Sequence, residues 1–377
     1  MSEINKIRLS KSVVGKDEAD AVSKIIIENG YLGMGAPVQE FENKIQAYLK
    51  TDNKVICVNS GTAALHLALM SLNLDPGDEV LVQSLTFAAC FQAISAAGLK
   101  PIPCEIYPET CTIDLQDAEK RITKKTKAIM PIHYASRTGD LDKIYEFAKK
   151  HNLRVIEDAA HAFGTICKEK KVGSLGDITC FSFDGIKNIT SGEGGAIVTK
   201  DPAVIQYCQD ARLLGIQKDT EKRVTGNRSW EFDIKHQGYR FHMSNIFAAI
   251  GLVQLSRLDN EFKPKRQQLA TQYYSELQNI TKIQLFENDF DRILPHIFPI
   301  RILNSKRDAL RQHLLENNIE CGIHYYPNHL LSYFKVNNER LSITEEVYSQ
   351  LLSLPLHPEI TNNQQEFIIN KIKQFFI

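Results

Sequence analysis

The sequence predicts an α/β fold, a large domain with a mainly parallel sheet flanked by helices, followed by a smaller C-terminal α+β domain. Two observations carry this. From about Lys54 to Thr199, short apolar runs alternate with stretches of helical period, and strands alternating with helices imply crossover units and a parallel sheet. Around Phe262 to Arg266 the chain turns polar, with Pro264 inside, and the regular alternation does not resume. The expected division is residues 1–262 and 263–377.

The elements follow in order. Gly15 to Asn29 is expected as an amphipathic helix that fits either body. KVICV reads as a buried strand, Thr62 to Leu72 as a helix, EVLV as a strand, and Phe87 to Ala97 as a helix of small and apolar residues. PIPCEI, the strand KAIMPI, the helix Asp140 to Lys150 and the strand RVIED come next. ITCFSF and GGAIVTK are then separated by only ten residues, which contain two glycines. That link is too short for an ordinary parallel crossover and predicts a local reversal at the end of the sheet. Ser244 to Leu258 is helical in period. The remainder predicts a helix near Arg266–Leu277, strand-like HIFPIRI, and helices near Lys306–Asn317 and Thr344–Leu352.

Composition narrows the function. The 377 residues are 43% hydrophobic and 24% charged, enough to bury a large core without disulfides or metals. The 45 basic and 45 acidic residues cancel, whereas a nucleic-acid-binding protein is expected to carry a basic excess. The eight cysteines lack CxxC pairs and zinc spacing, so they read as small buried hydrophobes in a reducing cytosol rather than metal ligands. The opening MSEINKIRLS has no apolar core of a secretion signal, and the apolar runs are too short to span a membrane. A cytoplasmic protein is expected.

Four segments carry candidate chemistry. Asn59 to His66 follows a strand and opens a helix. The free amides and positive end of a helix N-terminus suit an anion, with Gly61 allowing close approach and Thr62 adding a hydroxyl; taken alone, the segment reads first as an ordinary Ser/Thr cap. Asp158 stands at the carboxyl end of a buried strand, where α/β folds place ligands. A carboxylate there needs a partner, such as a protonated ring nitrogen, or it caps a helix. His161 lies three residues on. Ser182 can donate to a phosphate, and Lys187 follows the apolar strand, where partial desolvation makes a neutral, nucleophilic amine more available; taken alone, the segment reads first as a solvated loop lysine. Gly192-Glu193-Gly194-Gly195 lacks dinucleotide-fingerprint spacing and reads as turn chemistry behind Lys187.

Taken together with SGTAALHLAL, PGDEV, SLTF, TKAIMPIHY, VIEDAAHAFG, VGSLGD, FSF…KN, GEGGAIVT and HYYPNH, this order resembles the DegT-type nucleotide-sugar aminotransferases over nearly the whole chain. These are fold type I pyridoxal-phosphate enzymes. The resemblance implies that Lys187 carries the cofactor and moves protons, and that Asp158 pairs with the pyridine nitrogen. It places His161 beside the ring, Phe87 on the ring face, and Gly61, Thr62 and Ser182 around the phosphate. It implies a homodimer with shared sites, in which the segment Gly238 to Ser244 crosses to the partner. Many relatives have Asn where this chain has Arg240, so its contact is either the phosphate or the sugar nucleotide. His324, Tyr325 and His329 are expected near the sugar, and Trp230 either stacks on substrate or simply packs. The implied substrates are L-glutamate and a nucleotide-linked keto-deoxysugar, dTDP-4-keto-6-deoxy-glucose above the GDP-, UDP- and 3-keto alternatives. A sister group of dehydratases has histidine at the lysine position; this chain has Lys187. A non-catalytic regulator on the same fold is expected to lose Lys187, Asp158 or the phosphate cup, and all are present.

Overall fold

The computed structural model describes residues 6–217, 219–227, 230–287, 289–335 and 339–377. Its strands in chain order are β1 Lys54–Val58, β2 Glu79–Gln83, β3 Lys100–Cys104, β4 Thr126–Met130, β5 Arg154–Asp158, the short pair β6 Ile166–Cys167 and β7 Lys170–Lys171, then β8 Ile178–Ser182 and β9 Gly195–Thr199. Apart from β6 and β7 these form one seven-stranded sheet, ordered β1-β9-β8-β5-β4-β2-β3. Strands β3, β2, β4, β5 and β8 run parallel. β9 runs antiparallel to both of its neighbours, pairing Lys54 with Thr199 on one side and Ser182 with Gly195 on the other. The expected reversal is therefore present, but one place in from the edge, which β1 occupies. Two antiparallel steps leave β1 parallel to β8, so their carboxyl ends share one rim with those of β2, β4 and β5.

Side chains alternate across the sheet as strand geometry requires. In β1, Ile56 and Val58 join one core, while Val55 and Cys57 join the other. Ile178 and Cys180 of β8 face the first core and Phe181 faces the second. Helices cover both faces, as a sheet buried on each side demands. Helices Gly61–Met70 and Ala88–Ala96 pack in the first core, and Ala36–Leu49 with Asn245–Arg257 in the second. All eight cysteines are unpaired, and all but Cys167 are buried.

The N-terminal helix is shorter than expected, Lys16–Lys24 followed by a π turn to Asn29. Buried Glu18 accepts hydrogen bonds from Gly15, Gln254 and Arg257, which ties this helix to the large body. The helix Asn245–Arg257 continues through a π turn, Leu258–Phe262, into Lys263–Leu277, so residue 262 falls within one long helical run.

The C-terminal body is a three-stranded antiparallel sheet, β10 Ile283–Gln284, β11 Phe298–Ile302 and β12 Leu351–Leu354, ordered as numbered. Helices Lys263–Leu277, Arg307–Glu316 and Asn362–Phe376 contribute to its core. β12 replaces the end of the helix expected to reach Leu352, because the fully buried LLSL pairs along Phe298–Arg301. Ile7, expected with the large domain, instead pairs with Ile319 and is buried in this second core.

Candidate active site

The rim where the parallel strands end carries a cleft of about 1070 Å³, counting its open mouth. Four strand ends, those of β1, β2, β5 and β8, and one strap from the C-terminal body supply its polar groups. β1 leads through Ser60 into the helix Gly61–Met70, and the Ser60 hydroxyl accepts the Ala63 N–H at 3.1 Å. Ser60 is thus the ordinary cap. The first amides of the helix, at Gly61 and Thr62, have no acceptor within the helix by its geometry, and both residues line the cleft.

β8 ends at Ser182 beside this helix start. A Cβ on Gly61 would come within 2.7 Å of the Ser182 Cβ, so only glycine lets the helix end and the serine hydroxyl share one cradle. The glycine run after Lys187 has a packing role of the same kind. A Cβ on Gly195 would meet the Ser60 carbonyl oxygen at 2.4 Å, and Gly192 has φ +81°. Glu193 between them lines the mouth of the cleft.

Lys187 sits on the turn after β8, its N–H donating to the Asp184 carbonyl at 3.1 Å. Its half-buried side chain faces the cleft. Burial lowers the amine pKa, and the nearby carboxylates of Asp158 and Asp184 oppose that shift. Buried Asp158 ends β5 on the cleft wall. Its Oδ1 accepts the Ala160 N–H at 3.0 Å and its Oδ2 the Cys90 thiol at 2.8 Å.

His161 is buried beside them. The Ala135 N–H donates to its Nδ1 at 3.3 Å, which leaves the proton of the neutral ring on Nε2, 2.9 Å from the Tyr325 hydroxyl. Burial, reinforced by the Lys187 charge, holds this imidazole well below its ordinary pKa. His324 also lines the cleft, its Nδ1 2.8 Å from the Ser353 hydroxyl, and burial pulls its pKa to about 4. Phe87, 59% exposed, forms the lip, with its ring centroid 5.7 Å from that of Tyr325.

Gly61, Thr62, Phe87, Asp158, His161, Ser182, Lys187, His324 and Tyr325 therefore line one cleft. Three expected residues do not. His329 is only 1% exposed, held between the Ser84 hydroxyl at 2.7 Å and Glu345 at 3.2 Å, so it braces the loop before Phe87 rather than facing the cleft. Arg240 and Trp230 lie on the surface, Trp230 87% exposed, and neither reaches the cleft of its own chain. Sequence reasoning missed Cys90 and Thr86. The signal for Cys90 was a small polar residue three positions after Phe87 on a helix read as apolar, and that for Thr86 its place directly before Phe87 in SLTF.

A helix N-terminus with a serine, a buried carboxylate, an exposed aromatic lip and a desolvated lysine in one cleft fit pyridoxal phosphate, whose phosphate, ring nitrogen, ring face and aldehyde need those four partners. On the seven-stranded sheet with one reversed strand, they define a fold type I pyridoxal-phosphate enzyme.

A sequence model of the DegT/DnrJ/EryC1/StrS aminotransferase family matches residues 13–373, and the chain belongs to that family. It is 33% identical over 374 residues to the spore coat polysaccharide biosynthesis protein SpsC of Bacillus subtilis, covering 97% of this chain and 95% of SpsC. It is 34% identical over 365 residues to the GDP-perosamine synthase of Escherichia coli O157:H7, covering 97% of each. Among solved structures, the PLP form of the putative sugar aminotransferase Spr1654 from Streptococcus pneumoniae superposes with a TM-score of 0.89 at 28% identity, covering 98% of each chain.

Proposed function

We propose that the protein transfers an amino group from L-glutamate to a nucleotide-linked keto-deoxysugar, dTDP-4-keto-6-deoxy-glucose, and so makes a dTDP-4-amino-4,6-dideoxy-sugar for a surface polysaccharide or a natural-product glycan. The observation that carries the reading is the desolvated Lys187 amine in the same cleft as Asp158 and the Gly61–Thr62 helix start.

When bound, pyridoxal phosphate supplies an electron sink for the charge left as the substrate carbon loses its proton. Each residue then has a task. The amides of Gly61 and Thr62 and the Ser182 hydroxyl bind the phosphate. Asp158 holds the proton on the ring nitrogen. Phe87 covers one ring face and excludes water, and neutral His161 flanks the ring without adding charge. The Lys187 amine, kept partly neutral by burial, takes the proton from the substrate carbon and returns it. His324 and Tyr325 line the side from which the sugar enters.

The enzyme works as a cytoplasmic homodimer. Exposed Ile26, Ile27, Phe232 and Ile234 support an apolar contact between copies, and Arg240 and Trp230, turned away from their own cleft, are free to serve the partner's. No helix among the described residues is long and apolar enough to cross a membrane. A GDP-linked 4-keto-sugar is the second reading, favoured by the similarity to GDP-perosamine synthase.

The deciding experiment incubates the protein with glutamate and a panel of NDP-keto-sugars and reads products by mass spectrometry. A mass gain for amine replacing ketone on the dTDP sugar supports the first reading, and gain only on the GDP sugar supports the second. Lys187→Ala is expected to abolish transfer and to lose the borohydride-fixed cofactor; normal transfer by that variant rejects the assignment.

A further inference from the structure

Asp158 does not stand alone beneath the cleft. One oxygen accepts the Ala160 N–H at 3.0 Å, and the other accepts the thiol of Cys90 at 2.8 Å. Cys90 is fully buried, one turn into the helix Ala88–Ala96. Its sulfur lies 3.2 Å from the Thr86 hydroxyl. An ionised carboxylate only accepts, so the thiol proton points to Asp158 and the Thr86 hydroxyl donates to the sulfur. The backbone of Thr86 is itself held, because the Asn328 side-chain amide donates to the Thr86 carbonyl at 2.7 Å and to that of Ser84 at 3.2 Å. A line of hydrogen bonds thus runs from the HYYPNH strap of the C-terminal body through Thr86 and Cys90 to Asp158. Burial, reinforced by the neighbouring carboxylate, holds the thiol far above its ordinary pKa, so it remains a donor.

We propose that Cys90 is a positioning residue which, together with the Ala160 amide, fixes the orientation of the Asp158 carboxylate towards the ring of the cofactor. The inference rests on the reading of Asp158 as partner of the ring nitrogen. With both oxygens pinned from the protein side, the carboxylate cannot rotate its charge away from the cleft. Removing one of the two donors frees that rotation. A hydrogen bond to a charged group is among the stronger protein hydrogen bonds, and its loss is read as about a tenfold effect.

Three variants in the cofactor-loaded enzyme separate orientation from packing. Cys90→Ser keeps a donor, Cys90→Val keeps the volume without one, and Cys90→Ala removes both. Two measurements are made on each: the pH titration of the visible absorption band of the bound cofactor, and kcat with KM for the keto-sugar. Asp158→Asn serves as the reference. The expected result is a titration midpoint in Cys90→Val and Cys90→Ala displaced in the same direction as in Asp158→Asn but by less. Their kcat falls about tenfold with KM within about twofold of the parent, and Cys90→Ser stays close to the parent in both. A Cys90→Val enzyme that behaves as the parent, or a Cys90→Ser enzyme that behaves as Cys90→Ala, overturns the proposal while Asp158→Asn still moves the band. A band that Asp158→Asn leaves unmoved overturns the ring-nitrogen reading and this proposal with it.

Discussion

Asp158→Asn keeps the shape of the side chain and removes its charge, so the variant is expected to fold and bind cofactor while turnover falls by about 10²–10³, the range seen when a preorganised electrostatic partner is lost. Steady-state kinetics beside a thermal melt checks this, and undiminished kcat with an unchanged melt would remove Asp158 from the chemistry. Most of these side chains were legible in the sequence because each stands at a strand end or helix start, where its place follows from local pattern. Ser60 was legible as a cap, and Gly61, Thr62, Asp158, Ser182 and Lys187 lie where that pattern puts them. Cys90 was not, since a thiol in an apolar helix looks like packing until its partner across the sheet is known. His329 was misplaced for the converse reason. It belongs to a polar motif next to the cleft, but its ring is consumed by Ser84 and Glu345.

The helix Ala36–Leu49 is fastened to edge strand β1 by a buried ion pair. Arg212 meets Glu42 at 2.5 Å and the Cys57 carbonyl at 2.7 Å, while the Cys57 N–H donates to the same glutamate at 2.8 Å. Both charges are essentially without solvent. Glu42→Ala is expected to cost about 3–5 kcal/mol because it strands the Arg212 charge. Urea unfolding measures it; a loss under about 1 kcal/mol would mean that the arginine finds water or another acceptor. Nothing in the sequence announced this pair. Its members are about 170 residues apart, and periodicity reads only neighbours along a chain. The strands of the main sheet were legible for the opposite reason, as runs such as KVICV and ITCFS are apolar on both faces and bounded by turns. The place of β9 inside the sheet was not, because a short glycine-rich return gives the direction of a strand but not which neighbour lies beyond it.

Burial also sets how the whole protein responds to acid. His242, His324 and His357 each have a pKa drawn from 6.5 to about 4, chiefly by burial. Between those values the unfolded chain binds more protons than the folded one, so stability is present above pH 6.5 and is lost as pH falls towards 4. Unfolding midpoints taken across pH 7 to 4 are expected to decline from about pH 6.5 downwards. A decline that begins only below about pH 4.5 would assign the acid lability to carboxylates such as Glu345, whose pKa is lowered to about 2 mainly by Arg340. The reversed strand has a consequence for how the molecule is born. Among the described residues, β1 finds its sole strand partner in β9, roughly 145 residues downstream. At synthesis rates of about 5–20 residues per second, that partner emerges roughly 7–30 s later. Until then the nascent chain carries a bare apolar strand with the Gly61–Ser182 corner of the cleft half built, since Gly61 has been made and Ser182 has not. Chaperone binding during translation should therefore concentrate on the stretch from Lys54 onward and release once Thr199 has left the ribosome.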